Sequence, residues 1–546
     1  MKIRNIIGIA AATVAISSCG DKMDYHEYST YDEDYVKTMF SRAAGIVTSA
    51  YNDLDTDFGN YSGAMLSSAT DESVYSHAGN TIEKFYNGGW SATSNNDASM
   101  WVKCYRGISY ANLFLDKFKD EKFLEYVTDL DYPQELGQYN NLQYEARFLR
   151  AYYYFELVRA FGGVPLLTSY MEADEANSQP RRTSDEVFQF IIAECDGIKN
   201  LIEKNYASPS YGTLKSKNES GRANNLAVLA LKARAALYYA SPLFNPTNDN
   251  ERWHQAAVAN KELIDECKSR GMKLSADYAA LFQKDNWKNT EECIFVRRVV
   301  SKTNTFEKYN FPVGLENAGG GNCPTYNLVE SYEPGDIRLA ATVAKNGDTW
   351  PNATLETFVG GANGMPIAYA TPTGYYLKKY VQNLKITTSG ANTEQHHWVT
   401  FRLGEFYLNY AEAILNYTND PTAKAELGMS AEQAINVVRQ RAGIGDIPTG
   451  LSATEFAERL EKERFVELAF EGHRFYDLRR NMKAGNIKYR TIKSMYITKN
   501  DDGTFNETVT TDATTRAYWD NKMYLFPIAQ SEILKSGGSL TQNPGW

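Results

Sequence analysis

Two long segments with apolar residues at helical spacing constrain the fold more than any other feature of the sequence. In the first, Ala151, Tyr154, Phe155 and Val158 follow an i, i+3, i+4, i+7 pattern, and a Gly-Gly-Val-Pro run then ends the predicted helix. The second repeats the pattern over residues 226–237, with alanines on its other faces. Because alanine lets neighbouring helices approach closely, both segments are predicted to be interior helices.

The same spacing returns near the C-terminal end. Residues 403–414 carry one apolar stripe and residues 431–438 carry another, separated by a polar connection. Two antiparallel helices would bury these stripes against each other. This arrangement resembles a tetratricopeptide-type helical pair.

Between the helical blocks lies a region of different composition, residues 271–400, which is rich in Gly, Asn, Thr and Tyr. A shorter stretch of the same character covers residues 76–98. Turn formers at this density predict long loops and short strands, where binding residues tend to gather. The predicted fold is therefore mainly α, a tetratricopeptide-like scaffold with a large irregular loop and short-strand region that carries the ligand site.

The N-terminus predicts export. Lys2 and Arg4 precede a short apolar run, and Ile-Ser-Ser then leads to Cys19, which resembles the lipobox of bacterial lipoproteins. The alternative is an ordinary signal peptide that contains a cysteine. We expect a signal peptide over residues 1–18, a tether over 19–34, an N-terminal helical part over 35–270 and a C-terminal part over 271–546.

Composition excludes several classes of function. The formal net charge of −10 disfavours nucleic acid as a partner. The five remaining cysteines are widely spaced and form no CxxC pair, so neither a zinc site nor a disulfide framework is expected. We predict no metal and no cofactor. Aromatic residues reach 13% of the chain, which suits sites that are partly apolar and partly hydrated.

The stretch FVELAFEGHRFYDLRR, residues 465–480, concentrates ionisable residues as an active site would. Read as one helix, it places Arg464 three residues before Glu467 and Glu471 three residues before Arg474. Carboxylates paired in this way stay ionised and make poor general acids. A structural role is predicted, and no catalytic residue is assigned.

Eight segments in order resemble the SusD/RagB family of outer-membrane nutrient-binding lipoproteins of Bacteroidetes. They are the lipobox, EARFLRAYYYFELVRAFGGVPL, LALKARAALYYASPLFN, TGYYLKKY, FRLGEFYLNYAEA, INVVRQRAG, FVELAFEGHRFYDLRR and FPIAQSEILKSGGSLTQNPGW. The resemblance implies a lipid-anchored protein on the surface of the outer membrane. It also implies capture of an oligosaccharide or polysaccharide and its delivery to a SusC-like TonB-dependent transporter. The loops that would contact the ligand match poorly, so the sugar is not identified.

Candidate ligand residues come from the irregular segments. Trp90 is the first choice, since it lies among Gly and Asn outside any apolar stripe; the alternative is a ring that plugs the loop onto the core. Asn95 and Asn96 could supply hydrogen bonds or form a plain turn, as could Asp97. Asp71 faces the same loop or caps a helix. Tyr326 and Trp350 are second choices within the large irregular region.

Two other functions stay open. One is a peptide-binding member of the same family. The other is a surface lipoprotein enzyme on a helical scaffold, which would need two carboxylates facing each other across a cleft. Neither has a motif in its favour.

Overall fold

Apolar periodicity produces long helices where the sequence predicts them. The computed structural model describes residues 32–96, 98–206, 221–315, 317–350, 353–384 and 392–546, so the predicted signal peptide and Cys19 lie outside the described residues. The scaffold helices are α1 Glu33–Val36, α2 Phe40–Asn52, α3 Lys84–Asn87, α4 Ala98–Lys117, α5 Tyr132–Phe161, α6 Ala173–Asn177, α7 Ser184–Ile198, α8 Asn225–Ala240 and α9 Asn250–Ser269.

Local signals set the ends of these helices. Gly162 adopts a φ of +70° and ends α5, as the Gly-Gly-Val-Pro run predicts. Thr183 and Glu186 form a capping box at the start of α7. The later helices are α10 Thr305–Asn310, α11 Tyr326–Val329, α12 Ile337–Thr342, α13 Leu403–Thr418, α14 Ala431–Arg441, α15 Ala453–Glu467, α16 His473–Arg480 and α17 Gln530–Lys535.

The long helices pack as one succession. Helices α2, α4, α5, α7, α8, α9, α13 and α14 each contact the next in this order. The pair α13 and α14 contains the two C-terminal stripes, which are buried against each other. The succession agrees with the predicted tetratricopeptide-like scaffold and with a mainly α fold.

Short strands, most of them in the irregular region, form two-stranded antiparallel sheets. Strand β1 pairs with β3, β2 with β8, β4 with β7, β5 with β6 and β9 with β10. The strands are β1 Ser73–Tyr75, β2 Cys293–Arg297, β3 Asn322–Pro324, β4 Val343–Ala344, β5 Thr349–Trp350, β6 Ala353–Thr354, β7 Tyr376–Leu377, β8 Trp398–Arg402, β9 Ile492–Lys499 and β10 Phe505–Asp512. Long loops with short strands are what the composition of residues 271–400 predicts.

Two hydrophobic cores result from this division. The larger core fills the helical array, and the second core lies in the irregular region. Phe465, Val466, Ala469 and Phe470, from the charged stretch, pack in the second core, whereas Phe475 and Tyr476 pack in the first. The stretch therefore joins the two cores.

The single helix predicted over residues 465–480 is wrong. Helix α15 ends at Glu467 and α16 begins at His473, because Phe470 and Gly472 adopt φ values of +59° and +77°. The predicted ladder of charges is wrong for the same reason. Arg464 pairs with Asp477 at 3.1 Å, and Arg474 pairs with Asp71 at 2.7 Å.

Glu467 and Glu471 belong instead to a buried ion-pair cluster that ties distant segments together. Arg402 lies at its centre, 2.6 Å from Glu467, 2.7 Å from Glu471 and 2.9 Å from Glu292. Burial alone would raise the pKa of Glu467, but three arginines hold it well below its ordinary value. The other members of the cluster are Arg338, Lys379, Arg441 and Glu463.

Five cysteines lie among the described residues. Cys104, Cys195, Cys267 and Cys323 are buried free thiols, and Cys293 is a half-buried one. Among the described residues no helix is long and apolar enough to cross a membrane.

Candidate functional site

Trp90, the first candidate from the sequence, is a core residue. Its ring is 4% exposed and meets Phe85, Phe526 and Trp546 edge-on at centroid distances of 4.7, 4.9 and 5.1 Å. The indole nitrogen donates to the Asn95 side chain at 3.4 Å. Neither ring face is open in this structure, so the alternative weighed from the sequence, a ring that plugs the loop onto the core, describes its position.

Asn95 and Asn96 hold their loop in place. The Asn95 amide donates to the Pro527 carbonyl at 2.7 Å, and the Asn96 amide donates to the Thr81 carbonyl at 2.5 Å. Asp97 lies outside the described residues. Both asparagines are half-buried, and their amide donors are committed to backbone carbonyls.

Asp71 is neither exposed nor a helix cap. Asp71 is 4% exposed, and its carboxylate accepts two hydrogen bonds from the Arg474 guanidinium, at 2.8 and 2.7 Å. This bidentate pair fixes the segment before β1 to the start of α16.

Trp350 and Tyr326 lie in the irregular region, as expected. Trp350 is 6% exposed and packs edge-on against Phe311 in the second core; its indole nitrogen has no hydrogen-bond partner in the structure. Tyr326 is half-buried at the start of α11. The structure thus distributes the six candidates over both cores and does not gather them on one surface. Whether any of them contacts a ligand stays a prediction.

A different set of rings combines two exposed tyrosines of the irregular region with buried Tyr75 and half-buried His77. The rings of His77 and Tyr369 stack with centroids 3.9 Å apart and ring planes 8° apart. The rings of Tyr75 and His77 also stack, with centroids 5.1 Å apart. Tyr369 is 54% exposed and Tyr309 is 37% exposed. We call Tyr75, His77, Tyr309 and Tyr369 the aromatic platform.

Three consecutive glycines allow the loops of the platform to meet. A Cβ at Gly320 would lie 2.1 Å from the Tyr369 carbonyl oxygen, and a Cβ at Gly321 would lie 2.1 Å from that of Tyr309. The two glycines also adopt φ values of +81° and +48°. Only glycine satisfies both the close approach and the backbone conformation.

Polar groups surround the rings. His77 donates from Nε2 to the Gly319 carbonyl at 2.7 Å, and the Asn80 amide donates to the Ser62 carbonyl at 3.2 Å. Burial, with a contribution from Tyr309, raises the pKa of Tyr75 to about 12, so its hydroxyl keeps its proton at neutral pH. The platform thus offers ring faces beside neutral hydrogen-bonding groups.

Both irregular segments predicted from the sequence, residues 76–98 and 271–400, contribute to the platform, but the candidate residues within them were others. His77 and Tyr369 lie in Gly-containing segments outside any apolar stripe, which is the same criterion that selected Trp90. Phe526 and Trp546, from the far end of the chain, cover the ring of Trp90. Spacing in the sequence does not indicate this contact.

Within the described ranges no group of three or more His, Cys, Asp or Glu side chains is placed to hold a metal ion. The charged side chains of the 465–480 stretch are committed to buried ion pairs. The aromatic platform can stack on flat apolar surfaces and form hydrogen bonds.

Comparison with known proteins identifies related chains over nearly the whole length. A family model described as "SusD family" matches residues 247–546, and one described as "Starch-binding associating with outer membrane" matches residues 23–237. The SusD-like protein P2 of Formosa agariphila is 23% identical over 432 residues, which cover 74% of each chain.

Solved structures show the same fold. A SusD-like protein of Bacteroides fragilis superposes with a TM-score of 0.73 at 24% identity, covering 94% of this chain and 98% of the other. A SusD-like carbohydrate binding protein of the same species superposes with a TM-score of 0.69 at 20% identity, covering 92% and 99%.

Proposed function

The chain belongs to the SusD family, and from that premise we propose that it is a non-catalytic, glycan-binding lipoprotein of the outer-membrane surface. The observation that carries the proposal is the stack of exposed Tyr369 on half-buried His77. The apolar face of a sugar ring stacks on such a surface, while hydroxyls pair with neighbouring neutral groups. The carbohydrate-binding title of one structural relative and the starch-binding description of the second family model support the ligand class.

The proposal assigns the remaining parts of the function to other segments. Cys19 is the lipid anchor, and burial of its acyl chains holds the protein on the membrane. A SusC-like TonB-dependent transporter receives the captured oligosaccharide. Tethering beside the transporter raises the effective concentration of ligand, so modest affinity suffices.

Affinity electrophoresis against plant, host and microbial polysaccharides tests the binding function. We expect at least one polysaccharide to retard the wild-type protein. Tyr369→Ala should remove the retardation, whereas Tyr518→Ala, a change to another ring that is 43% exposed, should keep it. Retardation of Tyr369→Ala equal to wild type would overturn the assignment of the platform.

Four further measurements separate the alternatives and test the anchor and the partner. Calorimetric binding of peptides with no response to any glycan would favour the peptide-binding alternative. Release of reducing ends by the purified protein would favour an enzyme. To test the anchor, cell fractionation should find the wild-type protein in the membrane fraction and the Cys19→Ala protein outside it. To test the partner, the wild-type protein should co-purify with a TonB-dependent transporter.

A further inference from the structure

A separate cavity of about 170 Å³ lies where the two hydrophobic cores meet. Its walls come from α4, α5, α8, β8 and the break between α15 and α16, with a loop over residues 55–61. Exposed Asp55 and Asn60 and half-buried Lys103 are among its lining residues, so it reaches the surface. No member of the aromatic platform lines it.

Three buried polar atoms in this cavity have no hydrogen-bond partner among the described residues. They are Oε1 of Glu156, Nε of Arg159 and Oδ1 of Asp57. Glu156 is 7% exposed and its other oxygen pairs with Arg159, while the second oxygen of Asp57 accepts from the Leu66 amide at 2.7 Å. Buried polar groups in proteins are nearly always paired, so these three atoms indicate a missing partner.

The charges around the cavity are already compensated by the protein. Lys103 pairs with Asp55 at 3.4 Å, and Arg234 holds Glu405. Glu471 belongs to the ion-pair cluster, and burial with nearby Arg234 holds the pKa of His473 well below its ordinary value, so the imidazole is neutral. Burial, together with Asp55, raises the pKa of Asp57 to about 7, so this carboxyl can donate or accept near neutral pH. A strongly charged ligand therefore finds no unpaired countercharge here.

Size and chemistry then define the ligand. The volume exceeds the roughly 30 Å³ of one water several times, and it is below the ~300 Å³ at which pockets for larger ligands begin. A hydroxyl both donates and accepts, so vicinal hydroxyls satisfy Glu156 and Arg159 together. Trp398, Tyr152 and Met100 supply apolar wall.

We propose that this cavity is a second binding site, which takes one neutral hydroxyl-rich molecule of the size of a single sugar ring or an alditol. The site does not depend on the platform, because the two share no residue. It would let the protein respond to a free monosaccharide while a polysaccharide occupies the outer surface.

Calorimetry on the intact lipid-free chain tests the second site, with a panel of pentoses, hexoses and alditols as probes. We expect one of them to bind. Glu156→Gln and Met100→Trp, the first removing an acceptor and the second filling the space, should each weaken that binding at least tenfold. Glu135→Gln, on the same helix but outside the cavity, should not change it.

The two sites can fail independently. The cavity variants should keep their retardation by polysaccharide, and Tyr369→Ala should keep its binding of the small molecule. If no pentose, hexose or alditol of the panel binds, the proposal is overturned and the cavity holds water alone. Binding unchanged in Met100→Trp would overturn it as well, and this variant decides the matter if Glu156→Gln fails to fold.

Discussion

The ion-pair cluster and the aromatic platform differ in burial, in charge and in the segments that they connect. Arg402 at the centre of the cluster is 1% exposed and holds glutamates more than sixty positions away, at 292, 467 and 471. Tyr369 in the platform is 54% exposed and stacks on the His77 ring with the ring planes 8° apart. The charged residues that look like an active site in the sequence hold the fold, whereas Tyr309 and Tyr369 of the platform face the solvent.

The largest effect is expected from breaking the cluster. Arg402→Met leaves Glu292, Glu467 and Glu471 without their shared cation in the protein interior. Removing one partner of a buried ion pair costs about 3–5 kcal/mol, so urea denaturation should show a loss of about 4 kcal/mol. Arg182→Met, with a side chain that is 57% exposed, should change stability by less than about 0.5 kcal/mol. A loss below about 1 kcal/mol for Arg402→Met would contradict a structural role for the cluster.

A somewhat smaller loss is expected from Trp90→Ala. The ring fills space between Phe85, Phe526 and Trp546, and truncation of such a ring leaves a cavity. We expect a loss of about 3 kcal/mol in unfolding free energy, measured by thermal or urea denaturation. The folded fraction should still bind polysaccharide in affinity gels. Loss of binding at an unchanged melting temperature would instead restore Trp90 to the ligand site.

The helical scaffold could be predicted from the sequence because its signals are local. Spacing of apolar residues gave α5 and α8, and Gly162 marked an end of the former. The break after Glu467 could not be predicted in this way, because residues 465–480 keep helical spacing throughout. What opens it is tertiary: Glu72 accepts a hydrogen bond from the Phe470 amide, and Arg474 turns toward Asp71.

The aromatic platform could not be predicted from the sequence for a related reason. Its members come from β1, the segment after it, α10 and a loop of the irregular region, which meet around Gly319, Gly320 and Gly321. A glycine in the sequence does not indicate which segments will approach it. Trp90 and Tyr369 have the same local context, yet residues near the C-terminus cover only Trp90. Sequence reasoning could therefore identify the kind of segment that carries a site but not the rings.

A buried acid beside the cluster should make stability depend on pH. Burial raises the pKa of Glu72 to about 8, so the folded state holds its proton more tightly than the unfolded state. This stabilisation is complete below the unfolded pKa of about 4.5 and is lost as pH rises through 8. Between pH 6.5 and 7.5 the wild-type protein should lose on the order of 1 kcal/mol.

Glu72→Gln removes the titrating group and keeps an acceptor for the Phe470 amide. Urea midpoints of this variant should fall less over the same pH interval than those of the wild type. Glu135→Gln serves as the control and should keep the wild-type slope. Equal slopes in all three proteins would show that Glu72 does not titrate in this range.

The smallest effect on stability, and the sharpest separation of the two regions, is expected at Tyr369. This tyrosine adopts a φ of +63°, a conformation that costs a non-glycine residue about 1 kcal/mol. Strain of this kind persists where the side chain has a use, and the ring of Tyr369 is more than half exposed. Tyr369→Gly relieves the strain, adds a similar amount of entropy to the unfolded chain and removes the ring. Unfolding free energy should therefore stay within about 0.5 kcal/mol of the wild type, while glycan affinity falls by about 1 kcal/mol or more, roughly fivefold or greater.

Calorimetry and urea denaturation on the same preparations measure both quantities. Because Arg402→Met is expected to change only stability and Tyr369→Gly only binding, equal losses of both in either variant would show that the cluster and the platform are not separate in function.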